Sequence, residues 1–189
     1  MRRLPASLLV AYALVGAFFA VGALLRKGEE ARASESSPAD DGTTRLIVAS
    51  FGAALVGVPL LALPRRGRLA VPAFAGPAIM VLGLGLRAWA ALVLGRFYTR
   101  TLRITREHAL VTGGPYRLVR NPGYLGTIAV WIGFGLSSAS WLATLTVTAL
   151  MAYTYGRRIR SEEAMLLESL GDEYRAYMST TWRLVPGVY

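Results

Sequence analysis

The sequence predicts an all-α integral membrane protein of about five transmembrane helices, the last two paired as a tight hairpin. A cytoplasmic loop and C-terminal amphipathic helices complete this fold class. Three observations lead to it. Hydrophobic residues make up 54% of the 189-residue chain and gather in long blocks, giving a mean hydropathy of +0.43. The last block, residues 124–155, is too long for a single bilayer crossing. Two stretches rich in Arg, Gly, Pro, Tyr and Glu, at 107–126 and 157–177, flank that block.

Composition narrows the chemistry. The formal net charge of +10 would suit nucleic acid, but the arginines lie between apolar blocks, where they read as orientation signals. Absence of cysteine excludes disulfides, thiolate metal sites and a cysteine nucleophile, and the single histidine excludes a histidine-rich metal site.

In chain order, residues 4–25 form a continuous apolar run behind Arg2 and Arg3, too long for a signal-peptide core and read as the first span. Residues 27–44 are a polar, mixed-charge loop outside the site. Residues 46–63 are the second span, stopped by Pro64 and the basic turn Arg65-Arg66-Gly67-Arg68. Residues 71–94 are the third and contain Arg87. A charge inside a span costs at least a few kcal/mol, so Arg87 either snorkels to the interface or serves a site. This divides the chain into an N-terminal pair of spans (1–70) and a core (71–189).

The stretch EHALVTGGPYRLVRNPGYLG follows. Gly113-Gly114-Pro115 dictates a turn, and Asn121-Pro122 reads as an N-cap followed by the first helical residue. Backbone donors leading into a helix N-terminus suit an anionic group. Residues 124–155 would measure about 48 Å as one helix, against a hydrocarbon core of about 30 Å. The block must fold back, and Ser137-Ser138-Ala139-Ser140 is the natural break.

In RRIRSEEAMLLESLGDEYRAY, helical spacing aligns Ile159, Leu166 and Leu170, with Leu167 at the edge and Glu163 near the middle of the stripe. Acidic residues on an apolar face are expensive unless paired or used. An interfacial helix whose glutamates pair with Arg158, Arg160 or the central loop is one reading, and a site is the other. Gly171 ends this helix, and Tyr174 and Tyr177 begin another. With the C-terminus inside, fifteen Lys and Arg fall on the cytoplasmic side and five outside, which lets the central loop and the tail meet. Such a convergence suits a zwitterionic cytosolic cofactor and an amphipathic substrate. No P-loop, HExxH or GxSxG occurs, and GLGLR at 83–87 lacks the strand that a dinucleotide fingerprint needs.

These two stretches carry a resemblance. H-x-L-V-x-x-G-P-Y-R-x-V-R-N-P-x-Y-x-G, then R-I-R-x-E-E-x-x-L and G-x-x-Y-x-x-Y, resemble the isoprenylcysteine carboxyl methyltransferase family, part of a wider group that includes phospholipid methyltransferases. The resemblance covers roughly residues 95–189. It implies a membrane-embedded methyltransferase using S-adenosyl-L-methionine, with S-adenosyl-L-homocysteine as product. By motif match, His108, Ala109, Leu110, Val111 and Tyr116 would contact the cofactor, with the turn Asn121, Pro122, Gly123 and Tyr124. Glu162 would hold the cofactor's amino group, Arg158 would face the substrate, and Glu163, counted with Arg158 as catalytic, would be the second acid of the family's Glu-Glu pair and a partner for nearby arginines.

The family usually has R-H-P-x-Y where this chain has Arg120-Asn121-Pro122-Gly123-Tyr124. Asparagine can donate a hydrogen bond but cannot titrate. Tyrosine faces would favour a cationic donor, and His108 would contribute backbone contacts in preference to a proton. The expected partners are a lipidic or amphipathic small molecule entering from the bilayer and membrane lipids, with no nucleic acid and no obligate protein. The expected location is the plasma membrane of a prokaryote, with site and C-terminus cytoplasmic. Two rivals stand: a membrane reductase using a nicotinamide cofactor, and a non-catalytic scaffold.

Overall fold

A computed structural model describes residues 6–25, 42–63, 68–95 and 110–188. Among them the chain forms α1 (Ala6–Leu24), α2 (Thr43–Ala62), α3 (Ala75–Leu94), a 3-10 turn (Gly114–Arg117), α4 (Pro122–Ser137), α5 (Trp141–Leu170) and α6 (Asp172–Thr180). Helices α1, α2 and α3 are long and apolar enough to cross a membrane. The expected hairpin is present as α4 and α5. Its first arm has only 16 residues, about 24 Å, and α5 meets Arg157 and Arg158 directly behind its apolar part.

The hairpin turn falls where the serines predict it. Ser140 caps α5 by accepting from the Ala143 amide (3.3 Å), and Ala139 takes a positive φ of 54° to reverse the chain. The segment before α3 lies against this turn, with the Leu69 amide donating to the Ala139 carbonyl (2.9 Å).

Helices α3 and α4 run antiparallel and touch through backbone. A Cβ on Gly83 would lie 2.6 Å from the Gly126 carbonyl oxygen, and one on Gly133 would lie 2.6 Å from that of Gly76. These two glycine pairs, a heptad apart, let the helices approach more closely than side chains permit. On α2, Pro59 cannot donate to the carbonyl four residues back, and Tyr12 of α1 supplies the missing donor, its hydroxyl 2.8 Å from the Leu55 oxygen. The core is aromatic: Phe51 stacks on Trp131 with centroids 4.6 Å apart, and Phe18 and Phe134 pack edge-on against the same indole.

Three boundaries differ from the sequence reading. Helix α2 starts at Thr43, so Thr43 and Thr44 leave the polar loop and enter the bundle. Helix α3 starts at Ala75, because the Ala75 amide bonds the Pro72 carbonyl in a preceding turn (2.9 Å). The expected fifth span and the tail helix are one continuous rod, α5, of 30 residues. Gly171, with φ 52°, ends it as expected. Pro64, its basic turn to Gly67, and most of the loops at 27–44 and 96–109 lie outside the described residues.

Candidate active site

Beyond its apolar half, α5 presents Tyr155, Arg158, Ile159, Glu162 and Glu163 at spacings of three and four, so they share one face. Tyr155, Arg158, Ile159 and Glu163 are buried there, and Glu162 is half-buried. Two polar clusters grow from this face.

The first ties the tail to the loop before α4. Glu163 Oε1 accepts from Arg120 Nε (2.7 Å) and Asn121 Nδ2 (3.4 Å), while Oε2 pairs with Arg183 Nη2 (2.8 Å). Its side chain is only 4% exposed, so the two guanidinium groups compensate a charge that water does not reach. Arg120 Nη1 also donates to the Thr181 carbonyl (2.6 Å), and Asn121 Nδ2 to that of Arg183 (3.0 Å). Backbone completes the tie, with the Arg120 amide donating to the Trp182 carbonyl and the Trp182 amide to that of Leu118, both at 2.9 Å. From α6, the Tyr177 hydroxyl donates to the Tyr116 carbonyl (2.7 Å).

Burial raises the Tyr177 pKa to about 12, with Arg120 opposing. The hydroxyl of neighbouring Tyr174 is also pushed up, by burial first and then by the Glu163 and Glu162 charges. Both tyrosines are held neutral, and Tyr177 serves as a donor.

The second cluster lies one step further in. The Tyr124 hydroxyl donates to Glu162 Oε2 and accepts from Arg158 Nε (3.1 Å). Arg158 Nη1 reaches across the bundle to the hydroxyls of Thr43 (2.9 Å) and Thr44 (3.4 Å) at the start of α2. The Tyr124 ring lies against that of Tyr155, centroids 5.3 Å apart. A carboxylate, a phenol and a guanidinium are thus held in sequence where α2, α4 and α5 meet. That arrangement can hold an ammonium group and orient an anion within one turn of helix.

The expected site residues therefore separate. Asn121, Pro122, Gly123, Tyr124, Arg158, Glu162 and Glu163 converge around α5 and the start of α4. Tyr116 joins them through its carbonyl. Leu110 and Val111 are half-buried in irregular chain before the 3-10 turn, and His108 and Ala109 lie outside the described residues. Asn121 occupies the N-cap position of α4, but its side chain makes no capping bond. It donates instead to Glu163 and Arg183, which a cap reading does not foresee. The sequence motifs do not single out Arg120, Arg183, Thr43 and Thr44 as site residues. An arginine beside the Asn-Pro turn and another in the terminal WRLVPG were visible signals for the first two; nothing local marks the threonines.

The chain is similar to known proteins. The family model described as phospholipid methyltransferase matches residues 71–173, more than half of the chain. A probable protein-S-isoprenylcysteine O-methyltransferase of Oryza sativa subsp. indica is 33% identical over 106 residues, covering 55% of this chain and 56% of that protein. The protein-S-isoprenylcysteine O-methyltransferase of Schizosaccharomyces pombe is 31% identical over 100 residues, 52% of this chain and 42% of that one. The chain thus spans about half the length of these relatives. The solved structure of a eukaryotic intramembrane Ras methyltransferase, isoprenylcysteine carboxyl methyltransferase, superposes with a TM-score of 0.67 at 23% identity, covering 94% of this chain and 65% of that one. That likeness shows a shared fold.

Proposed function

The chain belongs to the phospholipid methyltransferase family, and from that membership we propose that it is a membrane methyltransferase moving a methyl group from S-adenosylmethionine to a lipidic acceptor. The relatives' names favour the carboxylate of a prenylated cysteine. They also widen the expected small-molecule partner to a lipid-bearing cysteine on a protein. The observation that carries the reading is the Tyr124 hydroxyl, fixed between Glu162 and Arg158 where three helices meet.

The residues present fit the cofactor by their chemistry. Glu162 supplies a carboxylate for an ammonium group, and the Tyr124 and Tyr155 rings supply aromatic faces beside it, favourable to a sulfonium. We assign cofactor contact to His108, Ala109, Leu110, Val111, Tyr116, Asn121, Pro122, Gly123, Tyr124 and Glu162, and acceptor orientation to Arg158. Bound there, S-adenosylmethionine supplies an electrophilic methyl group. Arg158 arrives pre-oriented, since Tyr124, Thr43 and Thr44 already hold its guanidinium. A planar fork fixed in this way aligns a carboxylate without having to be ordered first. A carboxylate acceptor carries no proton, so no general base is required, and Asn121 in place of histidine is no obstacle. We assign Glu163 to positioning: with Arg120 and Arg183 it closes the tail over the site and helps exclude water.

In this reading residues 71–189 form the methyltransferase core, with α4 and α5 as the remaining two spans and the Glu162 face cytoplasmic, as the basic bias requires. The relatives named above are eukaryotic and lend no support to a prokaryotic plasma membrane; membrane residence is what is retained.

The test is calorimetric binding of S-adenosylhomocysteine to detergent-purified protein, with NADPH as control. The expected result is saturable binding of the first alone. Glu162→Ala should abolish it, whereas Arg158→Ala should bind and lose methyl transfer by at least about 100-fold. NADPH binding alone would favour a reductase, and folded protein that binds neither would favour a scaffold.

A further inference from the structure

Helices α1 and α2 lie outside residues 71–173, which the family model matches, yet α2 reaches the candidate site. It packs along α5, and two polar contacts lie on that seam. At the site end, Arg158 Nη1 donates to the Thr43 hydroxyl (2.9 Å), with Thr44 the weaker partner at 3.4 Å. Further into the bundle, the hydroxyls of Ser50 and Thr154 share a hydrogen bond (2.8 Å). Thr43, Ser50, Thr154 and Arg158 are all buried. Thr43 and Ser50 are about two turns apart on one face of α2, and Thr154 stands one turn before Arg158 on α5.

The Ser50–Thr154 pair belongs to neither polar cluster of the candidate site. Apolar helices in lipid feel no hydrophobic force that selects one register, because lipid tails are as apolar as the side chains. A hydroxyl pair does select one, since sliding or turning α2 would leave two hydroxyls unpaired in hydrocarbon. One residue of slip would turn α2 by about 100° and carry Thr43 away from Arg158. Two further contacts brace the same rotation. Phe51, beside Ser50, stacks on Trp131 of α4, and the Leu55 carbonyl accepts from the Tyr12 hydroxyl of α1. Helix α2 is thus fixed against α5, α4 and α1 over less than two turns, and the rotation fixed in this way brings Thr43 to the guanidinium.

We propose that the α2–α5 seam positions Arg158 for the reaction: Ser50 and Thr154 set the register, and Thr43 holds the guanidinium at the angle that register allows. What Arg158 orients rests on the methyltransferase reading; the seam itself rests on its contacts. Thr43, Ser50 and Thr154 are positioning residues that act through Arg158. An arginine side chain has many rotamers, and one already held loses few of them when an acceptor arrives. Residues 71–189 are therefore not a self-sufficient catalytic unit, because a span from the N-terminal pair completes it.

The experiment uses the detergent-purified full chain labelled with 15N at arginine, in which the Nε resonance lost in Arg158→Lys identifies Arg158. Thr43→Val keeps the shape and removes the hydroxyl; it should speed exchange of the Arg158 Nε proton with water at least about tenfold, and Thr43→Ser should restore slow exchange. Ser50→Ala should speed it at least about threefold. With S-adenosylmethionine and N-acetyl-S-farnesylcysteine as substrates, kcat should fall by similar factors while KM and the affinity for S-adenosylhomocysteine stay within about twofold. The control is Thr148→Val, whose lost hydroxyl bonds the Thr144 carbonyl of its own helix (2.7 Å); it should change none of these. Unchanged Arg158 exchange in both Thr43→Val and Ser50→Ala overturns the proposal, and so does faster exchange with undiminished kcat. Affinity for S-adenosylhomocysteine that falls in step with kcat also overturns it, by showing a general loosening of the bundle. If Ser50→Ala does not fold, Thr154→Val takes its place, and the two Thr43 variants decide if neither folds. Wild-type protein that holds Arg158 in slow exchange yet neither binds S-adenosylhomocysteine nor transfers a methyl group discards the methyltransferase reading; exchange in the Thr43 and Ser50 variants then decides the seam alone.

Discussion

At the scale of single residues, Glu163 and its neighbour Glu162 have opposite environments although they adjoin in sequence. Glu163 points at Arg120 and Arg183 with 4% of its side chain exposed, whereas Glu162 is half-buried beside Tyr124 and Arg158. Glu163→Gln would leave two guanidinium groups without their shared charge. We expect it to lower stability by about 3 kcal/mol, the usual cost of breaking a buried pair, and to speed trypsin cleavage in the tail. Unfolding in detergent and timed proteolysis measure both; unchanged values would show the tie to be incidental. The need for a partner was legible in the sequence, since a glutamate in the stripe of Ile159 and Leu166 has to be paired. Which arginine answers was not legible, because Arg120 is 43 residues away and its proximity depends on how α4 packs. Asn121 was legible as a helix boundary but not as a donor to the tail.

At the scale of elements, helix boundaries came from local chemistry: apolar runs, the serine break, Gly171. The α3–α4 contact has a different origin. Gly76, Gly83, Gly126 and Gly133 each look unremarkable in an apolar span, yet a Cβ on Gly126 would lie 2.6 Å from the Gly83 carbonyl oxygen and 2.8 Å from the Arg87 amide nitrogen. Gly126→Ala should force the helices apart and cost about 2 kcal/mol. Gly16→Ala, whose Cβ meets nothing within 4 Å, should be neutral or slightly stabilising. Thermal midpoints of the two variants in the same detergent test this, and equal shifts would contradict the close-packing account. The continuity of α5 was missed because its composition changes at Arg157 from apolar to charged, which resembles the end of a helix. The backbone does not stop there; only the environment of its side chains changes.

At the scale of the whole molecule, the tail, the loop before α4 and the ends of α2 and α5 close into one assembly through neutral tyrosines and buried ions. Tyr177 makes that closure sensitive to base. Its folded pKa, about 12, exceeds the value near 10 of an unfolded tyrosine, so the folded state holds the proton more tightly. The stability this contributes is complete below pH 10 and is lost as pH rises from 10 toward 12. Melting temperature should therefore fall over that window, and the fall should be shallower in Tyr177→Phe, which starts lower for want of the bond to the Tyr116 carbonyl. Parallel curves for the two proteins would remove Tyr177 from the account.

The sequence by itself determined the membrane class, the helical class, the hairpin turn and the two polar stretches that build the candidate site. Each follows from interactions within a few residues, namely burial periodicity, turn chemistry and the cost of charge in a bilayer. Only the tertiary structure decided the pairings that make a site of them. Arg158 meets Thr43 across 115 residues, Tyr12 meets the carbonyl that Pro59 leaves open, and Arg87 turns inward to Thr127 and the Phe18 ring. Such contacts depend on the rotation and depth of one helix against another, which packing sets and local pattern does not encode.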